Sequence, residues 1–94
     1  MKEYFTYILT NLKNTVLYIG VTNNLKLRLI QHTSNKNNSF VYKYNAIKLI
    51  YFERYININD AIGREKQLKR WHKEWKWNLV KTINAQLEDM SKYI

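Results

Sequence analysis

Residues 4–10 (YFTYILT) and 15–21 (TVLYIGV) are two short runs of aromatic and β-branched side chains, separated by Asn11-Leu12-Lys13-Asn14. Such side chains fit a pleated surface, and asparagine either bonds the local backbone or takes left-handed dihedrals. The segment therefore predicts a β-hairpin. Large side chains fall on both faces of both strands, so neither face of the sheet can be left in water. Helices must cover it on each side. Thr22 or Asn23 predicts the cap of a helix running from about Asn24 to Gln31 or His32. Leu25 and Leu29 fall on one stripe of that helix, and Arg28 and His32, four residues apart, share another. The polar stretch Thr33 to Ser39 reads as a mobile loop. Residues 46–55 (AIKLIYFERY) read as a third strand. Asn57 or Asn59 then caps a further helix, with Asp60 placed against the dipole of its first turn. Helical periodicity through Ala61/Ile62, Leu68, Trp71/His72, Trp75 and Leu79 continues to about Ile83. That is long for one element, and a break is expected between Trp71 and Glu74. The order β-β-α-β-α(-α) is an α+β fold, a small three-stranded antiparallel sheet flanked by helices.

At 94 residues, 46% of them hydrophobic, the chain has room for one folded domain, spanning 1–94. No apolar run approaches the ~18–20 residues that span a bilayer. The start, Met1-Lys2-Glu3-Tyr4, lacks the apolar stretch of a signal peptide, so a cytoplasmic protein with no membrane partner is expected. Cysteine is absent, which excludes disulfides and thiolate metal sites. His32 and His72 alone cannot build a zinc site, and any metal needs carboxylate or phosphate oxygens. The net charge of +9 favours a polyanionic partner. Abundant Asn, Lys, Ile and Tyr without proline is also what an AT-rich genome imposes, so total charge alone decides nothing. The position of the charge says more. Between Gly63 and Lys81, seven basic residues stand against Glu65 and Glu74, with Trp71, Trp75 and Trp77 interleaved. Such a helix can bury its rings while its lysines reach phosphates. A membrane-surface helix looks similar, and three tryptophans could also form a protein-docking surface.

A hairpin closed by the turn at 11–14 pairs Asn11 with Asn14, Leu9 with Val16, Tyr7 with Tyr18 and Phe5 with Gly20. Tyr7 and Tyr18 are then direct cross-strand neighbours, and Gly20 leaves an opening beside them. Two rings packing in a core is the simpler account of that pair. Arg28 follows on the next helix, where a guanidinium can clamp a phosphate with forked hydrogen bonds or merely sit in solvent. His32, one turn on, could relay a proton or simply end the helix. Glu65 stands out on its own. Ala61, Glu65 and Leu68 place a carboxylate on an otherwise apolar stripe, which is costly unless it is paired or holds a cation. An i,i+4 pair with Lys69 at the edge of the stripe is one solution. A Mg²⁺ site completed by phosphate oxygens and water is the other.

Together these residues resemble the GIY-YIG nuclease superfamily. Tyr18-Ile19-Gly20 is the literal second half of its signature, and Phe5-Thr6-Tyr7 a degenerate first half. Tyr7 and Tyr18 are eleven residues apart, Tyr18 and Arg28 ten, and Arg28 and His32 four, as in the family pattern. Glu65 matches its later glutamate. Residues 61–71 (AIGREKQLKRW) and 84–90 (NAQLEDM) look like the compact bacterial branch, with Ala85 and Leu87 replacing a proline and a tryptophan. The chain is similar in this respect to the N-terminal nuclease domain of the excision-repair UvrC subunit. The resemblance implies hydrolysis of DNA phosphodiester bonds, by an endonuclease or nickase acting on repair or recombination intermediates, with RNA left open. It implies one divalent ion, Mg²⁺ or Mn²⁺, held by Glu65. Arg28 would bind the charge that builds on the phosphoryl group. Tyr7 would be the general base, with Tyr18 positioning the water and His32 taking the proton. A free phenol has a pKa of ~10, so this role needs nearby cations that favour phenolate. Asn78 lies near the place of a later family asparagine and is left outside the set. The alternative is a non-catalytic nucleic-acid-binding module built on the basic, tryptophan-containing C-terminal helices. So small a domain implies weak intrinsic specificity, or a protein partner that supplies it.

Overall fold

The structure is a computed structural model, and it describes residues 2–34 and 45–94. Its elements are β1 (Tyr4–Thr10), β2 (Leu17–Thr22), α1 (Leu25–Ser34), β3 (Lys48–Tyr55), α2 (Ile58–Arg70), α3 (Lys73–Lys81) and a 3₁₀ turn at Ser91–Tyr93. This is the expected α+β order. Of the polar stretch read as a loop, Thr33 and Ser34 belong to α1, and residues 35–39 lie outside the described residues. The cap of α1 is Asn24, one position after the expected pair. Its side-chain oxygen accepts the Leu27 N–H at 3.0 Å, while Thr22 Oγ1 accepts the Asn24 N–H at 3.1 Å. Asn57 caps α2 by accepting the Asn59 N–H at 2.8 Å, and Asp60 lies in the first turn. Trp71 and His72 take extended ψ values of 151° and 148°. They break the long helical pattern where it was expected to break.

The sheet is antiparallel in the order β2-β1-β3. Its hairpin register differs from the expected one by two residues: Tyr7 faces Gly20 and Leu9 faces Tyr18. Asn11 is the cause. Its side-chain oxygen accepts the N–H of Thr15 at 2.8 Å and that of Val16 at 3.4 Å, and its Nδ2 donates to Thr15 Oγ1 at 2.7 Å. Asn14 turns the chain at a φ of 55°. Thr15 and Val16 are thereby spent on the turn, and the ladder starts only at Thr10–Leu17. A shift of two keeps every side chain on its face. Tyr7 and Tyr18 still share a face, but as diagonal rather than direct neighbours.

Both faces are covered. On one, Tyr7, Leu9 and Leu49 pack with Leu25 and Leu29 of α1 and with Ala46. On the other, Ile8, Ile19, Ile50 and Tyr51 pack with Leu68 of α2 and Val80 of α3, with Trp71 and Trp77 against them. Thr6 Oγ1 donates to the Ala61 carbonyl at 2.8 Å and ties β1 to α2. The β1–β3 ladder slips between Ile8 and Leu9, and the C-terminal segment fastens to the backbone there. Met90 N–H donates to Leu49 O at 2.7 Å, and Asn84 Nδ2 donates to Ile50 O at 3.0 Å and Glu88 O at 2.8 Å. Asn84 Oδ1 accepts the Glu88 N–H at 3.0 Å. Asn84→Ala removes all three side-chain bonds and strands a buried carbonyl, at a cost of roughly 2–3 kcal/mol. A lower urea midpoint at unchanged m-value is the expected result.

Candidate active site

Tyr7 projects from the central strand and is wholly buried. Its ring lies over Gly20, so close that a Cβ there would sit 2.5 Å from the phenol oxygen and 2.6 Å from Cζ. The opening expected beside the two tyrosines is therefore filled by Tyr7 itself. The Tyr7 hydroxyl is 3.0 Å from Nε2 of His32, which α1 presents one turn after Arg28 and which is also buried. The Tyr18 ring meets the His32 ring edge-on at 5.4 Å and the Tyr7 ring at 6.3 Å. Tyr18 is only half-buried. The Arg28 guanidinium and the Tyr18 hydroxyl both interact with the Tyr7 phenol. Arg28 also borders a groove of about 450 Å³ with Thr22, Asn24, Leu27, Gln31 and Ile58.

Burial pushes the Tyr7 phenol up to about 12, although Arg28 pulls the other way. At neutral pH it is a protonated phenol, whereas the family role was expected to need phenolate. The cation is present, but desolvation outweighs it. The nearby Tyr7 phenol holds Arg28 above its ordinary value. Burial, then the charge of Arg28, hold His32 below the usual imidazole range. His32 is consequently neutral at pH 7, and its Nε2 can accept the Tyr7 proton when Nδ1 carries the ring proton.

Glu65 comes from the opposite layer. Its side chain is 21% exposed and pairs with Lys69 Nζ at 3.4 Å, the i,i+4 partner weighed from the sequence. Ala61 and Leu68 on the same stripe are completely buried, so the carboxylate occupies the edge of that stripe. Lys69 also lines a shallow groove of about 270 Å³ with Leu17, Tyr18, Ile19 and Lys76. That groove runs along β2 from Tyr18 to Lys69 of α2 and Lys76 of α3. Tyr7, Tyr18, Arg28 and His32 thus form one cluster, while Glu65 pairs with Lys69, which lies one turn further along α2 and lines the same groove as Tyr18. No three His, Asp or Glu side chains gather among the described residues. A divalent ion at Glu65 therefore needs phosphate oxygens and water to complete its shell, which is how Mg²⁺ is commonly held.

Other residues were not anticipated. Glu53 accepts hydrogen bonds from Tyr51, from Tyr55 at 2.6 Å and from Arg64 Nε at 3.0 Å. Burial pushes its carboxyl up, but Arg64 and the two hydroxyls together outweigh burial and leave it below the usual carboxylate range. Glu53 alternates with two tyrosines on one strand face, which was the available signal. The Arg64 guanidinium also lies 5.2 Å from the centre of the Trp71 ring. This network joins β3 to α2. Of the three tryptophans, Trp71 and Trp77 pack against the core and Trp75 stays 55% exposed. Asn78 is exposed on α3.

Residues 3–78 match the family model described as the GIY-YIG catalytic domain. A UPF0213 protein of Clostridium perfringens is 31% identical over 90 residues, covering 96% of each chain. A UPF0213 protein of Pediococcus pentosaceus is 30% identical over 87 residues, or 93% of this chain and 90% of the relative. The solution NMR structure of a UPF0213 protein from Bacillus halodurans superposes with a TM-score of 0.59 at 21% identity. It covers 96% of this chain and 95% of the other, and supports the fold assignment.

Proposed function

The chain belongs to the GIY-YIG catalytic-domain family, in the compact branch that includes the UPF0213 proteins, and from this membership we propose that it is a DNA endonuclease using one divalent ion. The observation that carries the proposal is the 3.0 Å contact from Tyr7 to a neutral His32, with Tyr18 and Arg28 brought against it. Tyr18 is the phenol that water can reach, and Tyr7 lies behind it in full burial. As water attacks phosphorus, its proton passes to the Tyr18 oxygen. Tyr18 hands its own proton to Tyr7, and Tyr7 hands its proton to Nε2 of His32. Each phenol gains one proton as it loses another, so neither has to persist as phenolate. The high pKa of Tyr7 is compatible with this relay and would oppose a standing phenolate base. Arg28 binds the negative charge that grows on the phosphoryl oxygens. Glu65 would hold the Mg²⁺ or Mn²⁺ ion, which when bound polarises the phosphate and stabilises the leaving oxygen. Supercoiled plasmid incubated with Mg²⁺ or Mn²⁺ tests the proposal. Nicking that is abolished by EDTA and by Glu65→Ala is expected, and nicking indifferent to both overturns it.

One observation favours a second reading. The Glu65 carboxylate is already paired with Lys69, and a nucleic-acid-binding module without catalysis has no need to release it. That module binds DNA with a salt-dependent affinity, nicks nothing, and is unaffected in its binding by Tyr7→Phe.

A further inference from the structure

The groove along β2 leads from Tyr18 to α3, and α3 carries two side chains that the proton relay leaves unused. Lys76 is half-buried in that groove beside Tyr18, and no carboxylate lies within 4.0 Å of its ammonium among the described residues. A lysine at a groove wall without a counter-charge is suited to an anion arriving from outside. Trp75, the next residue back, is 55% exposed. Its ring is nevertheless held, by edge-to-face contacts with His72 at 5.0 Å and Trp71 at 6.2 Å. A fixed, uncovered indole on a lysine-rich helix pairs a flat apolar face with positive charge. A protein docking site of ordinary kind surrounds its aromatic anchor with other exposed apolar side chains, whereas here the flanking residues are Lys73, Glu74 and Lys76, with Trp77 turned into the core. Lys73 is occupied, donating to the Thr15 carbonyl at 2.8 Å. The complementary partner is a nucleic-acid strand, with a phosphate for Lys76 and a base for Trp75. Inside a duplex both faces of a base are already stacked, so only an unpaired nucleotide offers one to an indole.

We propose that α3 is a single-strand contact surface of this nuclease, in which Lys76 takes a phosphate at the mouth of the Tyr18 groove and Trp75 stacks on an unpaired base. The substrate class that follows is DNA with a single-stranded or splayed nucleotide beside the bond to be cut. The assignment rests on the nuclease reading for its geometry, but its test does not need catalysis. Binding of a labelled single-stranded oligonucleotide and of the blunt duplex of the same sequence is measured in EDTA, over a range of salt. Trp75→Ala is expected to weaken single-strand binding by roughly tenfold and to leave duplex binding within about twofold. Trp75→Phe restores most of the loss, since stacking needs a ring and not an indole. Lys76→Gln weakens both ligands and lowers the log–log salt slope by about 0.7 for the single strand and about 0.9 for the duplex, one phosphate's share. Thermal unfolding of each variant confirms that the fold is intact. Equal loss on both ligands, no loss on either, or a wild-type chain that binds neither overturns the proposal. A chain that binds as expected but never nicks plasmid sinks the nuclease reading and leaves this surface standing. Nicking combined with indifference to Trp75→Ala does the reverse.

Discussion

Tyr18→Phe is expected to slow metal-dependent nicking by about 10²–10⁴-fold, the usual worth of a positioned proton-transfer group, with folding and DNA affinity unchanged. The half-buried ring stays and only the hydroxyl goes, so the packing against His32 at 5.4 Å survives. What disappears is the first carrier of the water proton. Tyr7→Phe interrupts the same relay one step further in and is expected to cost a similar factor, but the two variants separate on pH. In the wild type the relay ends on neutral His32, which burial and Arg28 hold below the usual imidazole range. The acid limb of the activity profile is therefore displaced to lower pH than an ordinary imidazole would give, and activity falls there as Nε2 becomes protonated and can no longer accept. Tyr18→Phe lowers the whole profile and keeps that acid limb. Tyr7→Phe disconnects His32 and flattens the limb. Rates for Tyr18→Phe within about threefold of wild type would falsify the relay, as would an acid limb that persists in Tyr7→Phe.

The parts of this site legible in the sequence are those set by periodicity. Period two placed Tyr7 and Tyr18 on one face, period 3.6 placed Arg28 and His32 on one stripe of α1, and both placements hold in the fold. The i,i+4 relation offered Lys69 as one of two partners for Glu65, and that pair is formed. Whatever depended on a third element was hidden. The register of the hairpin was decided by one side chain, Asn11, drawing Thr15 and Val16 into the turn. The depth of Tyr7, and with it the protonated state of its phenol, depends on α1 closing over the sheet. That Glu65 stands in the layer opposite the tyrosines follows from which face α2 covers, and spacing along the chain carries no trace of it. Asn84 looked like one residue of a family pattern. Its work is to fasten the C-terminal segment at the slip in the β1–β3 ladder, and an irregularity of that kind leaves no periodic mark. Trp75 shared its helical spacing with two rings that do pack, and only the fold separates it from them.

Gly20→Ala is the substitution expected to damage stability and activity together, for a reason that backbone conformation does not supply. Gly20 has no positive φ, so its dihedrals suit any residue. Alanine inside a strand ordinarily gains about 0.5–1 kcal/mol over glycine. Here the gain is reversed, because the new methyl would stand 2.5 Å from the Tyr7 oxygen and 2.6 Å from Cζ. The ring cannot swing aside as an exposed side chain would, since it is buried among Leu9, Leu25, Leu29 and Leu49. Either the strands part or the ring tilts, and forced overpacking of this kind costs about 1–3 kcal/mol or more. For a chain of this length that lowers Tm by about 4–8 °C per kcal/mol. Any tilt also moves the hydroxyl off its 3.0 Å contact with His32, so the surviving folded protein nicks slowly even well below its Tm. A double-mutant cycle isolates the cause. With Tyr7→Leu the obstructing ring end is gone, so Gly20→Ala in that background should cost far less than in the wild type. Equal costs in the two backgrounds would mean that Gly20 serves something other than the seat of Tyr7.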